Sequence, residues 1–202
     1  MNQLYLKENG EPDSETLIVS FAGYNKMFVG IVRFEFANFL NTHFPNTDRH
    51  FYMDTKLDLY HKGIAGISNN IDETVAYLNN EIAKYKNVIF IGVSSGGYAA
   101  ILFGSLLKIT SVLAFIPQTV RVKENIDEKY RDLNVHMNDS TKYYIYGDTS
   151  ITRINDFHHI RHCEHIANHP NVCLIKKDGV DLRRMRDNGE LYDIVNKIIC
   201  TF

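Results

Sequence analysis

The sequence predicts an α/β fold of three layers, in which helices cover both faces of a mostly parallel central sheet. Short apolar segments rich in β-branched and aromatic residues alternate along the chain with longer segments of helical periodicity. The apolar segments are continuous, as in strands that are buried on both faces. The chain has 202 residues, 45% of them hydrophobic, which is enough for one core, and we assign residues 1–202 to a single domain.

Seven segments have the composition of strands, and each ends where polar or turn-forming residues begin. The predicted strands are 4–7, 16–21, 49–53, 88–93, 111–116, 142–147 and 172–176. The intervening segments carry apolar residues at helical spacing, and Asn70 is placed to cap the second of them. The predicted helices are 28–44, 71–85, 97–107, a mostly helical polar segment 122–138, 158–168, and 182–202 with a break at 188–189.

Composition and charge argue against several kinds of partner and location. The formal net charge of −2 leaves no basic surface for a nucleic acid. The first residues lack the basic region and apolar core of a signal peptide, and polar residues interrupt the apolar window 98–116, so we expect a cytoplasmic protein without a membrane span. Three widely spaced cysteines form no metal-binding pair and favour buried thiols in a reducing compartment. The sequence does not predict an oligomeric state.

One stretch in the middle of the chain combines a buried strand, a tight turn and a helix. The apolar segment 87–91 leads into Gly92-Val93-Ser94-Ser95-Gly96, and a helical pattern of small residues follows at once. A G-x-S-x-G pattern between strand and helix is typical of a nucleophile elbow, a strained turn that needs glycines around its serine. The structural alternative is a glycine-rich turn that packs a helix on the sheet, with Ser94 as its cap. The position of the motif favours a nucleophile.

This arrangement resembles the α/β-hydrolase family over residues 16–199. A narrower resemblance is to small, lidless hydrolase-like proteins, some of which are encoded near, or fused to, polysaccharide-processing enzymes. The stretches that carry it are YHKGI (60–64), GVSSGGYAA (92–100), IPQT (116–119) and LRRMRDNGEL (182–191). The resemblance implies an α/β-hydrolase-like fold and a serine hydrolase of the esterase or acyltransferase type. Its expected substrate is a small acyl ester, with an acylated carbohydrate as one candidate, and no cofactor is expected.

Four positions match the reacting centre of that family. Ser94 matches the nucleophile, and the backbone N–H of Ser95 matches one donor to an oxyanion. The second donor is expected from the loop after the strand 16–21, at Ala22 or Gly23.

The acid and the base are less well defined by the resemblance. The acid is expected after the strand that ends at residue 147, where Asp148 and Asp156 are both available. The base should be a histidine on the loop after the last strand, but the loop 177–181 has none. Val180 stands where such proteins often have a histidine.

A histidine from another part of the chain is therefore needed if Ser94 is to be activated. His158 and His159 come first, since they follow Asp148 and Asp156 closely, and His61 comes second because its loop follows a strand near the elbow. A second function remains open, a non-catalytic hydrolase-like module that binds a ligand or a partner protein. Contact between a histidine ring nitrogen and Ser94 would distinguish the two.

The histidines also raise the question of a metal. His158, His162, His165 and His169 lie on one face if the segment is a helix, and histidines four residues apart can share an ion. No carboxylate stands in an H-E-x-x-H pattern with them, and Glu164 alone is weak support. We predict a solvated or interface helix face and no bound metal.

Overall fold

The computed structural model describes residues 5–24, 34–121 and 126–201, and these contain a seven-stranded sheet. The strands are β1 (Tyr5–Glu8), β2 (Thr16–Phe21), β3 (Asp48–Tyr52), β4 (Asn87–Val93), β5 (Ser111–Phe115), β6 (Lys142–Asp148) and β7 (Val172–Lys177). Their order in the sheet is β1-β3-β2-β4-β5-β6-β7. Only the edge strand β1 is antiparallel to its neighbour, so the sheet is mostly parallel, as predicted.

Helices lie on both faces of this sheet. They are α1 (Ala37–His43), α2 (Ile71–Ile82), α3 (Ser95–Leu107), α4 (Arg161–His165), α5 (Leu182–Asp187) and α6 (Glu190–Ile199). Alternate residues of β4 belong to two separate cores: Val88 and Phe90 pack with α2 and α3, whereas Ile89 and Ile91 pack with α1, α5 and α6. This alternation follows from the two-residue period of a strand, and it confirms the predicted three layers.

Three of the predicted helices are shorter in the structure. Within the predicted helix 28–44, residues 34–36 form a turn and only α1 is helical, while residues 28–33 lie outside the described residues. In the segment 126–138, the structure has two 3-10 turns, Glu128–Tyr130 and Leu133–His136, and 122–125 are not described. In the segment 158–168 only α4 is an α-helix.

In the second and third of these segments, the cause of the shortening is local hydrogen bonding by aspartates. The carboxylates of Asp127, Asp132 and Asp156 each accept the backbone N–H of the residue two positions later. Such bonds offer the backbone an alternative to the α-helical ladder, which hydrophobic periodicity does not reveal.

Other expectations have mixed outcomes. The break in the last helical segment is confirmed at Gly189, whose φ of 85° suits glycine. Buried thiols are found only at Cys163, since Cys173 and Cys200 are exposed. The apolar window 98–116 divides between α3 and β5. Among the described residues, no helix is both long and apolar enough to cross a membrane.

The parallel strands bring the functional loops together. Strands β2, β4, β5 and β6 point in one direction, so the residues that follow them lie at one edge of the sheet. In open α/β sheets this carboxyl edge is where ligands bind.

Candidate active site

Ser94 lies at the sharp turn between β4 and α3. Its backbone has φ 56° and ψ −119°, a conformation that L-residues rarely adopt and that costs of the order of 1–3 kcal/mol. The turn is held from both sides, because the Ser94 N–H donates to the carbonyl of Phe115 at 2.9 Å and the Ser94 carbonyl accepts from Tyr98 at 3.0 Å. The surrounding structure therefore fixes the strained serine.

The two glycines of the motif are required by close backbone packing. A Cβ at Gly92 would lie 2.2 Å from the carbonyl oxygen of Gly96, and a Cβ at Gly96 would lie 2.1 Å from that of Phe21. Both distances are far below any real contact, so a side chain at either position would force strands β2 and β4 and helix α3 apart. The two glycines of the G-x-S-x-G pattern are therefore needed where the turn, helix α3 and strand β2 pack against one another.

Two side chains contact the Ser94 hydroxyl. His158 Nε2 is 2.7 Å from Ser94 Oγ, and the Gln118 side-chain amide donates to the same oxygen at 3.4 Å. When His158 carries its proton on Nδ1, its Nε2 accepts the proton of the Ser94 hydroxyl, which also accepts from Gln118. Ser94 is in this way paired with a histidine that can take its proton.

His158 comes from the loop that joins β6 to α4, residues 149–160, which we call the histidine loop. Burial lowers the pKa of His158; the Asp156 carboxylate opposes this shift, and the positive charge of Arg121 adds to it. The imidazole is therefore neutral at neutral pH and able to accept a proton. Asp156 accepts the His158 backbone N–H at 2.9 Å, and its carboxylate lies 3.7 Å from Nδ1. At 3.7 Å the two groups interact electrostatically without a hydrogen bond.

Asp148, the other candidate acid, has a different set of contacts. Its carboxylate accepts the N–H and hydroxyl of Ser150 and the N–H groups of Gly179 and Val180, at 2.6–3.1 Å. Burial would raise the pKa of Asp148, but these hydrogen bonds outweigh burial and hold the pKa below its ordinary value. Asp148 thus joins the histidine loop to the last loop, residues 178–181, and does not contact the His158 ring.

The structure directs the other two candidate histidines elsewhere. His159 accepts the backbone N–H of Arg161 at 3.1 Å. His61 is buried; its Nδ1 accepts the N–H of Asp127, and its Nε2 lies 2.9 Å from the Tyr98 hydroxyl. Burial lowers the pKa of His61 to about 4, against the opposing charges of Asp58 and Asp127. Both ring nitrogens of His61 are used in the core, so it is not available to Ser94.

Of the four histidines predicted to lie on one face, His158, His162 and His165 line the same cavity, and His169 does not. His158 precedes the short helix, His165 contacts Asp132 at 2.8 Å, and His169 contacts Asn134 at 3.1 Å. His162 is buried and faces the cavity described below. Among the described residues, no group of three or more His, Cys, Asp or Glu side chains is arranged to hold a metal ion.

The expected oxyanion donors differ in their availability. Ser95 is the first residue of α3, so its N–H has no acceptor within the helix and lies at the positive end of the helix dipole. The Ala22 N–H donates to the Tyr52 carbonyl at 2.9 Å, and the Gly23 N–H donates to the Glu35 carboxylate at 2.7 Å. Neither is open to an oxyanion in this arrangement. The sequence does not reveal these two acceptors, because Tyr52 and Glu35 are distant from Ala22 and Gly23 along the chain.

A cavity of about 1190 Å³ opens over Ser94. Its walls come from the loop after β3, from the segment after β5 and from the histidine loop with α4. Its lining includes Asp58, Gln118, Arg121, Phe157, Arg161, His162 and Glu164. The cavity is large enough for a drug-sized molecule, and the serine lies on its surface.

Sequence reasoning did not identify Gln118 or Arg121 as site residues. Both residues follow β5, which is parallel to β4 and lies next to it. The carboxyl ends of β4 and β5 therefore lie at the same edge of the sheet, beside Ser94. That adjacency was a usable signal: residues just past the end of a strand beside the G-x-S-x-G strand should line its site.

Comparison with known proteins separates fold from sequence. No protein-family model and no curated protein sequence matches the chain. Solved structures do match, among them a mutant of the capsule O-acetyltransferase of Neisseria meningitidis serogroup A in complex with CoA. It has a TM-score of 0.64 and 16% identity, over 93% of this chain and 90% of that one.

Two hydrolases give similar values. An esterase from Pyrococcus furiosus has a TM-score of 0.62 and 14% identity, over 98% of this chain and 90% of that one. A fluorophosphonate-binding serine hydrolase from Staphylococcus aureus has a TM-score of 0.64 and 11% identity, over 96% and 91%. The chain has an α/β-hydrolase fold. At such identities the likeness of this hydrolase-like protein to its neighbours concerns architecture, and function has to be argued from the site.

Proposed function

We propose that this protein is a serine hydrolase or acyltransferase that acts on a small acyl ester, with Ser94 as nucleophile and His158 as general base. The observation that supports it most directly is the 2.7 Å contact between Ser94 Oγ and His158 Nε2 at a strained strand-to-helix turn. Nucleophilic catalysis requires a base within hydrogen-bond reach of the nucleophile, and this contact meets that requirement. Burial also lowers the pKa of His158, which keeps the base unprotonated.

The reaction follows from these contacts. Ser94 Oγ attacks the acyl carbon, its proton passes to His158 Nε2, and the carbonyl electrons move to the oxygen. When the tetrahedral intermediate collapses, the bond to the leaving alcohol breaks and His158 returns the proton to that alcohol. Water or an acceptor hydroxyl then attacks the acyl-serine while His158 removes its proton. The bond between the acyl group and Ser94 Oγ breaks, and His158 returns that proton to Ser94 Oγ. Asp156 is a positioning residue, since it fixes the His158 backbone and stabilises the imidazolium through space.

Two donors are suited to the developing oxyanion. The Ser95 N–H lies at the start of α3, where the helix dipole favours negative charge. The Gln118 amide, which already reaches Ser94 Oγ at 3.4 Å, is our candidate for the second donor in place of Ala22 and Gly23. Removal of one such donor typically costs about 10²–10³-fold in turnover.

The substrate class is proposed from the cavity and the structural neighbours. The cavity, at about 1190 Å³, has room for a group larger than a small acyl chain. One neighbour is a capsule O-acetyltransferase, and others are esterases. These features favour an O-acylated carbohydrate as the ester, or the free hydroxyl of a carbohydrate as the acceptor.

A second candidate function is a non-catalytic hydrolase-like module that binds a ligand. It is favoured by Val180 where the family usually has a histidine, and by the 3.7 Å gap between Asp156 and His158 Nδ1. In this case the cavity binds a ligand without acyl transfer, and Ser94 is unreactive.

Fluorophosphonate labelling together with turnover of p-nitrophenyl acetate tests the proposal. We expect wild type to be labelled at Ser94 and to release p-nitrophenol, and Ser94→Ala to do neither. Ser150→Ala is the matched control, since Ser150 lies on the histidine loop and bonds only to Asp148 among the described residues. Wild type that is neither labelled nor active would overturn the hydrolase and favour the binding module.

A further inference from the structure

The cavity over Ser94 has a wall that the proposed acyl chemistry does not use. Arg121, Arg161 and His162 contribute to it. His162 is only 5% exposed, and its Nε2 has no hydrogen-bond partner among the described residues. The Nε of Arg121 is also buried without such a partner in the described part of the chain. Buried polar nitrogens are nearly always bonded, so two on one wall indicate a missing polar ligand.

The same wall carries positive charge that no carboxylate among the described residues neutralises. Within the described residues, neither Arg121 nor Arg161 has a carboxylate within 4.0 Å, the limit for an ion pair. The carboxylates that line the cavity are Asp58 and Glu164, and each has a lysine as partner, at 3.6 and 2.5 Å. A half-buried guanidinium without a counter-charge is unfavourable unless an anion binds beside it.

The charges on this wall are close together. Burial, together with the nearby positive charges of Arg161 and Arg121, lowers the pKa of His162 to about 4. The guanidinium of Arg121 is held in place, since its central carbon lies 4.3 Å from the centre of the Phe157 ring. The wall therefore presents two cationic forks around a neutral imidazole, the donor set that suits an oxyanion such as phosphate or carboxylate.

We infer that the wall of Arg121, Arg161 and His162 binds an anionic group of the substrate while the acyl carbon lies at Ser94. This inference rests on the proposed acyl chemistry. The anionic group has two conceivable sources with the same chemistry, a phosphate of a thioester donor such as coenzyme A or a carboxylate or phosphate on the ester itself.

Two matched pairs of substrates distinguish these sources. The ester pair is 4-acetoxybenzoate and its methyl ester, and the thioester pair is acetyl-coenzyme A and S-acetyl-N-acetylcysteamine. Within each pair the acyl group is the same and only one member is anionic. The variants are Arg121→Gln and Arg161→Gln, with Arg183→Gln as control, because Arg183 is an exposed arginine on α5 outside the cavity. Arg161 is exposed as well, so its replacement keeps the fold.

The readout is the ratio of kcat/KM for the anionic substrate to that for the neutral one. We expect wild type to prefer the anionic member of at least one pair, and the pair in which it does so identifies the source. The ratio should fall about 10- to 100-fold in Arg121→Gln and in Arg161→Gln, and it should stay unchanged in Arg183→Gln. No preference in either pair, or a preference that survives both cavity variants, would overturn the inference.

A binding measurement separates this inference from the proposed function. Inorganic phosphate should raise the Tm of wild type and of Arg183→Gln above the value in sodium chloride of equal ionic strength, and it should not do so in Arg121→Gln. If neutral esters are not turned over but phosphate still stabilises in this pattern, the acyl chemistry fails and the anion site stands. If phosphate gives no stabilisation in wild type, the anion site is refuted whatever the activity.

Discussion

The histidine loop and the last loop lie side by side at the carboxyl edge of the sheet, joined through Asp148, yet they differ in what they offer Ser94. The histidine loop places the His158 ring at the hydroxyl, whereas the last loop presents only backbone N–H groups to Asp148. In the hydrolase pattern the last loop supplies the histidine. In this protein the imidazole therefore reaches the serine from the histidine loop and not from the last loop, where the hydrolase pattern places it.

Asp148, the carboxylate at the end of β6, has a different role from the one that the hydrolase pattern assigns to an acid there. Asp148 occupies the position from which an acid would orient a histidine on the last loop. Here its carboxylate binds the backbone of that loop through Gly179 and Val180. Asp148 therefore supports the backbone of the last loop, and the proposed chemistry lies with Asp156 and His158.

The largest expected effect is that of removing the imidazole from the histidine loop. His158→Gln should lower kcat/KM for p-nitrophenyl acetate by about 10²–10⁴-fold, the usual contribution of a general base. Val180→Ala makes a comparable change on the last loop and should alter kcat/KM little. Equal losses in the two variants would contradict the difference between the loops.

Removing the link between the loops should have the next largest effect, and it should be on stability. Asp148→Asn replaces a charged acceptor of four hydrogen bonds with an amide whose NH₂ group faces donors, so unfolding free energy should fall by about 1.5–3 kcal/mol. Because the pKa of Asp148 is depressed in the folded state, wild type loses this advantage as the pH falls from about 3.8 through the folded pKa. Urea unfolding at pH 7 and pH 3 measures the loss of unfolding free energy and its dependence on pH. Asp156→Asn is the control, and a larger loss of unfolding free energy in Asp156→Asn than in Asp148→Asn would refute the role of Asp148.

A smaller effect concerns the pH profile of the histidine loop. Since burial lowers the pKa of His158, kcat/KM should rise with pH to a plateau with its inflection below 6.5. Asp156→Asn removes a charge that raises this pKa, so the inflection should move to lower pH. Arg121→Gln removes a charge that lowers it, so the inflection should move to higher pH. Shifts in the same direction for both variants would contradict the placement of these charges.

The smallest effect is expected from restoring a histidine to the last loop. The Val180 side chain packs with the core that contains Met185, so an imidazole there is not directed at Ser94. In a His158→Gln background, Val180→His should therefore recover almost no ester turnover. Recovery close to the wild-type rate would show that the last loop can still supply the base, and the contrast between the loops would be lost.

The sequence was sufficient for the fold and for the strained turn at Ser94. Continuous apolar strands alternating with helical segments predicted the parallel sheet, and the glycines around Ser94 predicted the strained turn, because both depend on local packing. Helix lengths were overestimated where Asp127, Asp132 and Asp156 bond the backbone locally, which periodicity does not register.

The partners of Ser94 could be predicted only in part. His158 was one of three candidate histidines, and the choice among them depended on which ring nitrogen remains unused in the fold. The acceptors that occupy the N–H groups of Ala22 and Gly23, and the approach of Gln118, come from distant segments. Contacts of this kind depend on the tertiary structure, and the hydrophobic periodicity of the sequence does not reveal them.

The placement of Asp156 and His158 two residues apart on one loop has a mechanical consequence. When acid and base belong to separate loops, each can move without the other, and the pair is broken as readily as the contact with the serine. Here a displacement of one segment carries the imidazole and its carboxylate away from Ser94 as a unit, with their mutual geometry preserved by the His158 N–H bond. In the proposed mechanism, the reactivity of Ser94 then depends on a single coordinate, the distance between the histidine loop and the start of α3.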